Sequence, residues 1–274
     1  MVLWQQKLKS RLSREMKKWP RWKKIVGIVV FVLLVVVIAS TVFIQKSRYP
    51  ATVEAQKQSQ VATSTKSYDL YTSGQKGATS IIFYPGAFVA TASYSNWASQ
   101  LAAAGINVYV LNVPLDLAVL APDAANTILK AHPDEKFILA GHSLGGVMAS
   151  RFVKEHASQV AGVIFLASYP DKKGSLKEET FPVLSITASN DGVLNWDKYD
   201  EAKQYLPKDT TYVEIKGGNH AGFGTYGDQK GDNTATISNA MQQTKISTYI
   251  MYYGIDCAVY STKNFLICSI KKFF

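Results

Sequence analysis

"KFILAGHSLGGVMASRF", residues 136–152, is the stretch on which the reading of the whole chain turns. An apolar run stops at Gly141, Ser143 sits among small residues, and a helical pattern follows. A hydroxyl at a sharp strand-to-helix turn has two uses. It caps the new helix, or it is a nucleophile held off the end of a sheet, the geometry that G-x-S-x-G encodes. "GHSLG" (141–145) fits that pattern, and its position between a strand and a helix makes the match far more specific than the five residues alone. The nucleophilic reading stands only if the chain also supplies a base, an acid and donors for an oxyanion.

The chain alternates short apolar runs with helical stretches from about residue 68 onward. Strands are expected at 79–85, 106–113, 136–143, 160–168, 182–189 and 210–217. Helices are expected at about 93–104, 117–131, 144–157, 197–206 and 234–251. Most of the strands are apolar on both faces, as in a parallel sheet covered by helices. The fold class is therefore α/β, with ligands at the carboxyl ends of the strands.

That edge selects the partners of Ser143. A serine hydroxyl needs a base to accept its proton, and the chain has four histidines. His132 precedes the strand leading to Ser143 and belongs at the opposite edge. His142 neighbours the serine and is expected to point away from it. His156 lies well down the following helix, about 20 Å off at 1.5 Å per residue. His220, in "GGNHAGFG" after the last strand, lies at the correct edge. The acid that fixes the base's tautomer is expected at Asp191, after the penultimate strand, with Asp171 one strand earlier as runner-up. Oxyanion donors are expected from the N–H of Leu144 and from the loop "FYPGAFV" (83–89), through Ala87 or else Phe88. Phe88, His142 and Asn219 are candidate substrate contacts; Tyr226, Gln229 and Asp232 are candidates for the pocket wall.

Charge and hydropathy divide the rest. The net charge is +10, but residues 1–66 hold 13 Lys/Arg against two acids, and the remainder is nearly neutral. A basic domain for nucleic acid is thereby excluded. Residues 25–44 carry no charge, enough to span a hydrocarbon core of about 30 Å as a helix. Nine Lys/Arg precede that run, so the positive-inside rule places residues 1–24 in the cytoplasm and the body outside. The apolar run exceeds a signal-peptide core of about 7–15 residues, and no clear A-x-A site follows. The expected organisation is a basic N-terminus (1–24), a transmembrane anchor (25–44), a polar extracellular spacer (45–66), a hydrolase-like domain (67–252) and a tail (253–274). No metal-ligand spacing occurs, and the two cysteines, Cys257 and Cys268, are candidates for an external disulfide.

With these pieces on the page, residues 68–243 resemble the bacterial α/β-hydrolases of the dienelactone-hydrolase-like group. "FYPGAFV", "VPLDLAVL" (113–120), "GHSLGG", "ASNDGV" and "GGNHAGFGTYGDQKGD" carry the resemblance. It implies a Ser143–Asp191–His220 triad, no cofactor, and a small-molecule or lipid-like ester as substrate. Relatives commonly have glutamine at the position of Gly222, and the tail has no counterpart among them. The expected function is a membrane-anchored serine esterase. Acyl transfer or thioester cleavage would use the same triad, and a non-catalytic cell-envelope module would keep only the fold.

Overall fold

The computed structural model describes Trp4 and residues 20–262, with side chains as far as Tyr253. Most of the basic N-terminus and Cys268 lie outside the described residues, as does residue 263 onward. The chain divides into two units, Met1–Ser47 and Arg48–Phe274. The first is dominated by helix α1 (Arg21–Ser47), which buries no residue. An 18-residue window in it has mean hydropathy 3.2, so α1 is long and apolar enough to cross a membrane.

The second unit is built on an eight-stranded sheet. Its elements run α2 (Val53–Ser59), β1 (Thr63–Ser64), β2 (Tyr68–Tyr71), β3 (Ser80–Tyr84), α3 (Ser95–Ala103), β4 (Asn107–Leu111), α4 (Asn126–Ala131), β5 (Phe137–His142), α5 (Leu144–His156), β6 (Val160–Leu166), β7 (Val183–Ala188), α6 (Trp196–Ala202), β8 (Thr211–Ile215) and α7 (Asn239–Thr262). The strand order is β1-β2-β4-β3-β5-β6-β7-β8. From β4 to β8 every pairing is parallel, while β1 and β2 add an antiparallel edge.

Alternate side chains along each strand point to opposite faces, and each face has its own core. Ile81, Phe83, Val108, Val110, Ile138 and Ile164 pack with Trp97 and Leu101 of α3 and Ile246 and Ile250 of α7. Ile82, Tyr84, Leu111, Leu139 and Phe165 pack with Ile128 of α4 and Met148 and Phe152 of α5. The double-sided burial accounts for strands that read as continuous apolar runs.

Three expectations need correction. The stretch 117–131 is not one helix: 3₁₀ turns occupy Pro114–Asp116 and Ala118–Leu120, and only Asn126–Ala131 is α-helical. Pro122 explains this, because it cannot donate within a helix and its ring disfavours the helical conformation before it. The final helix does not stop at 251 but runs on to Thr262, so the tail is partly helical.

Most important, 45–66 is not a spacer. Tyr49 N–H donates to Phe88 O at 2.8 Å, and Ala90 N–H returns to Tyr49 O at 3.1 Å. Thr52 N–H donates to Thr225 O at 3.0 Å, and Ser95 Oγ–H to Ala55 O at 2.8 Å. Ala51 and Ala55 are buried. A seven-residue helix is marginal by itself, so α2 owes its stability to this docking. Thr52 fixes its start as an N-cap, accepting from Ala55 N–H at 3.3 Å.

Removing residues 1–47 should therefore leave thermal stability nearly unchanged, whereas removing 1–59 should lower it sharply. At about 1 kcal/mol per hydrogen bond, the bonds just named correspond to a fall in Tm on the order of 10 °C. Differential scanning calorimetry of the two truncations checks this; equal melting temperatures would contradict the docking.

Candidate active site

Ser143 follows β5 with φ 51° and ψ −125°, a conformation rare for a residue with a side chain. Two contacts hold it there. Its N–H donates to Leu166 O at 3.0 Å, and Ser168 Oγ–H donates to its carbonyl at 2.6 Å. The turn also demands Gly145, where a Cβ would collide with the carbonyls of Tyr84 and Pro85. Ser143 makes no side-chain cap bond, so the helix-cap reading of this residue fails and the hydroxyl remains uncommitted.

His220 and Asp191 meet as the sequence predicts. Nδ1 of His220 lies 2.8 Å from Asp191 Oδ2, with both side chains fully buried. The other carboxylate oxygen accepts from Val193 N–H at 2.9 Å and Leu194 N–H at 2.7 Å. An ionised carboxylate only accepts, so the imidazole proton sits on Nδ1 and Nε2 carries the lone pair. That Nε2 is buried without a hydrogen-bond partner. A buried orphan of this kind calls for an explanation, and it lies close to the elbow: the rings of His220 and His142, the residue before Ser143, are 4.7 Å apart. Ser143 and His220 are not hydrogen-bonded here; such contacts are often loose until substrate binds.

Asp171 belongs to a different network. It pairs with Arg151, Oδ2 to Nη2 at 2.5 Å, and caps the turn at Gly174 through its N–H at 3.0 Å. The Arg151 guanidinium holds its carboxyl below the usual range. It is a structural ion pair away from His220.

The loop after β3 distinguishes the two N–H groups expected as a second oxyanion donor. Phe88 N–H is taken by Asp116 O at 2.8 Å, so it is unavailable to a ligand. Among the described residues, the N–H groups of Ala87 and Leu144 have no protein acceptor. Phe88 itself has φ 62° and is partly exposed in this loop.

Two expected substrate contacts have protein partners. Asn219 lines a cavity with Gln229 and Asp232, and its amide is engaged: Oδ1 accepts from Gly222 N–H at 2.9 Å and Nδ2 donates to Asn233 O at 2.8 Å. His142 is buried, stacked on Phe223 at 5.7 Å. Its Nδ1 lies 3.1 Å from Tyr94 Oη, which accepts Gly86 N–H at 2.8 Å. Sequence reasoning missed Tyr94, which carries no motif of its own. It ties the loop after β3 to the elbow.

Burial, and then the neighbouring charge of His220 when protonated, pushes His142 well below the ordinary 6.5. The unfolded chain takes up that proton near pH 6.5 and the folded chain does not. Stability is therefore full above about pH 6.5 and falls below it, by about 1.4 kcal/mol per pH unit for the one proton. Urea titrations from pH 7 to pH 5 should show this slope, and His142→Gln should remove that part of it. Parallel curves for the two proteins would refute the assignment.

Three solved structures share this architecture. MGS-MChE2, an alpha/beta hydrolase enzyme from the metagenome of sediments from the lagoon of Mar Chica, Morocco, is 14% identical with TM-score 0.55 over 71% of this chain and 98% of its own. Est1E from Butyrivibrio proteoclasticus is 12% identical with TM-score 0.53 over 70% and 94%. Dienelactone hydrolase from Anabaena variabilis is 18% identical with TM-score 0.52 over 69% and 90%. At these identities the likeness concerns the fold. No curated protein matches the sequence. The sequence model described as "Alpha/beta hydrolase family" matches residues 80–244, more than half of the chain and every element from β3 into α7. The chain belongs to the alpha/beta hydrolase family.

Proposed function

We propose that the protein is a membrane-anchored serine hydrolase that cleaves carboxylic esters outside the cytoplasm. One observation carries this reading: a buried Asp191–His220 hydrogen bond leaves the second imidazole nitrogen without a partner beside the Ser143 elbow. In the proposed reaction His220 Nε2 takes the Ser143 proton as Oγ attacks the carbonyl carbon. Asp191 stabilises the imidazolium and holds its tautomer. The oxygen of the tetrahedral intermediate accepts the N–H groups of Leu144 and Ala87, each worth roughly 100- to 1000-fold in rate. Collapse expels the alcohol, which receives the proton from His220 and leaves an acyl-serine. A water, deprotonated by His220, then releases the acid and restores the serine.

The anchor is assigned to α1, whose apolar run and the basic residues before it orient the body outward. A small or lipid-like ester fits a family in which the protein contributes all the chemistry through side chains and backbone N–H groups.

Ser143→Ala should lose ester turnover and labelling by a fluorophosphonate while keeping its circular dichroism spectrum; labelling that persists would disprove the nucleophile. Asp191→Asn should lose up to about 10⁴-fold in kcat, whereas Asp171→Asn should stay within about tenfold. The reverse ranking on a short p-nitrophenyl ester would transfer the acid to Asp171. In intact cells, a membrane-impermeant lysine reagent should modify the body of the protein; modification only after lysis would reverse the topology.

A further inference from the structure

The segment Gln229–Thr234 crosses both loops that carry the acid and the base. Asp232 Oδ1 accepts Gly192 N–H at 2.9 Å, and Oδ2 accepts Ala221 N–H at 2.8 Å. These donors are the residues that immediately follow Asp191 and His220. On either side the pattern repeats with side chains as donors. Asn190 Nδ2 donates to Thr234 O at 3.0 Å, and Asn219 Nδ2 donates to Asn233 O at 2.8 Å. Each loop is thus fastened twice to the same short segment. Within this segment the Asp232 side chain reaches both loops, and its position is fixed by its own N–H to Gln229 O at 3.1 Å.

We propose that Asp232 is a positioning residue, whose carboxylate locks the acid loop to the base loop and so sets the Asp191–His220 hydrogen bond. The proposal rests on the reading of those two residues as acid and base. A carboxylate is suited to the task because both oxygens accept and neither donates. An asparagine accepts through one oxygen only. Whichever way its amide turns, one loop loses its bond and meets an N–H instead. The carboxylate makes its hydrogen bonds to backbone N–H groups, so its removal acts through geometry, and small misplacements of reacting groups are costly: 1 Å can mean about 10²-fold.

The experiment uses the full-length chain in detergent with a p-nitrophenyl ester. Asp232→Asn should lower kcat by about 10- to 100-fold and leave KM within about threefold. In an Asp191→Asn background the same change should cost less than about threefold, because the geometry it sets has already lost its purpose. Ser143→Ala is run in parallel. Wild-type kcat for Asp232→Asn beside an inactive Ser143→Ala overturns the inference alone. Equal losses in both backgrounds also overturn it, since they mark a general structural role. Turnover retained by Ser143→Ala overturns the underlying mechanism and the inference with it. Should the asparagine variant fail to fold, Asp232→Glu, which keeps both acceptors one methylene further out, replaces it. A reduced kcat at constant KM then supports the proposal, and an unchanged kcat overturns it.

Discussion

Ser143 is held in a backbone conformation that costs an ordinary residue about 1–3 kcal/mol, and the surrounding structure is arranged to keep it there. The bond from its N–H to Leu166 O ties the turn to β6. Its carbonyl is claimed by Ser168. Gly145 lets α5 approach the carbonyls at the end of β3. The strain thus rests on the central strands β3, β5 and β6, each buried along almost its whole length. A serine turned out of its helix in this way cannot serve as a cap, and it gains an approach to the space above the sheet.

The same central strands couple the separate parts of the site. Gly86, in the loop after β3, donates to Tyr94, and Tyr94 contacts His142 in the elbow. His142 in turn lies against His220. The Ser143 elbow, the loop after β3 and His220 therefore share one buried wall of rings. Asp191 is held by the N–H groups of Val193 and Leu194.

The sequence made the central strands legible because residues buried on both faces leave unbroken apolar runs. Ser143 and Asp191 were legible because each follows such a strand, and His220 because it follows β8, a partly exposed strand, at the same edge. What escaped has a common physical character. β1 and β2 are short and partly exposed, so their pattern is too weak to separate from loop. The docking of residues 48–59 depends on backbone bonds to partners far away in the chain, which leave no periodic trace. Asn219 and Asp232 line a cavity near His220 and also brace the backbone, a second task that leaves no trace in the sequence and shows only in their hydrogen-bond partners.

The glycine at position 222 leaves space that a neighbouring side chain uses. A side chain there would run into the amide of Gln242. That amide is already engaged, accepting Asn219 N–H at 3.0 Å and donating to Asn219 O at 2.8 Å. Positions 222 and 242 therefore compete for one volume beside the histidine loop. A side chain at 222 has room only when the Gln242 amide swings away, and that movement releases both of its bonds to Asn219. The empty space at 222 is thus what lets residue 242 brace the loop that carries His220.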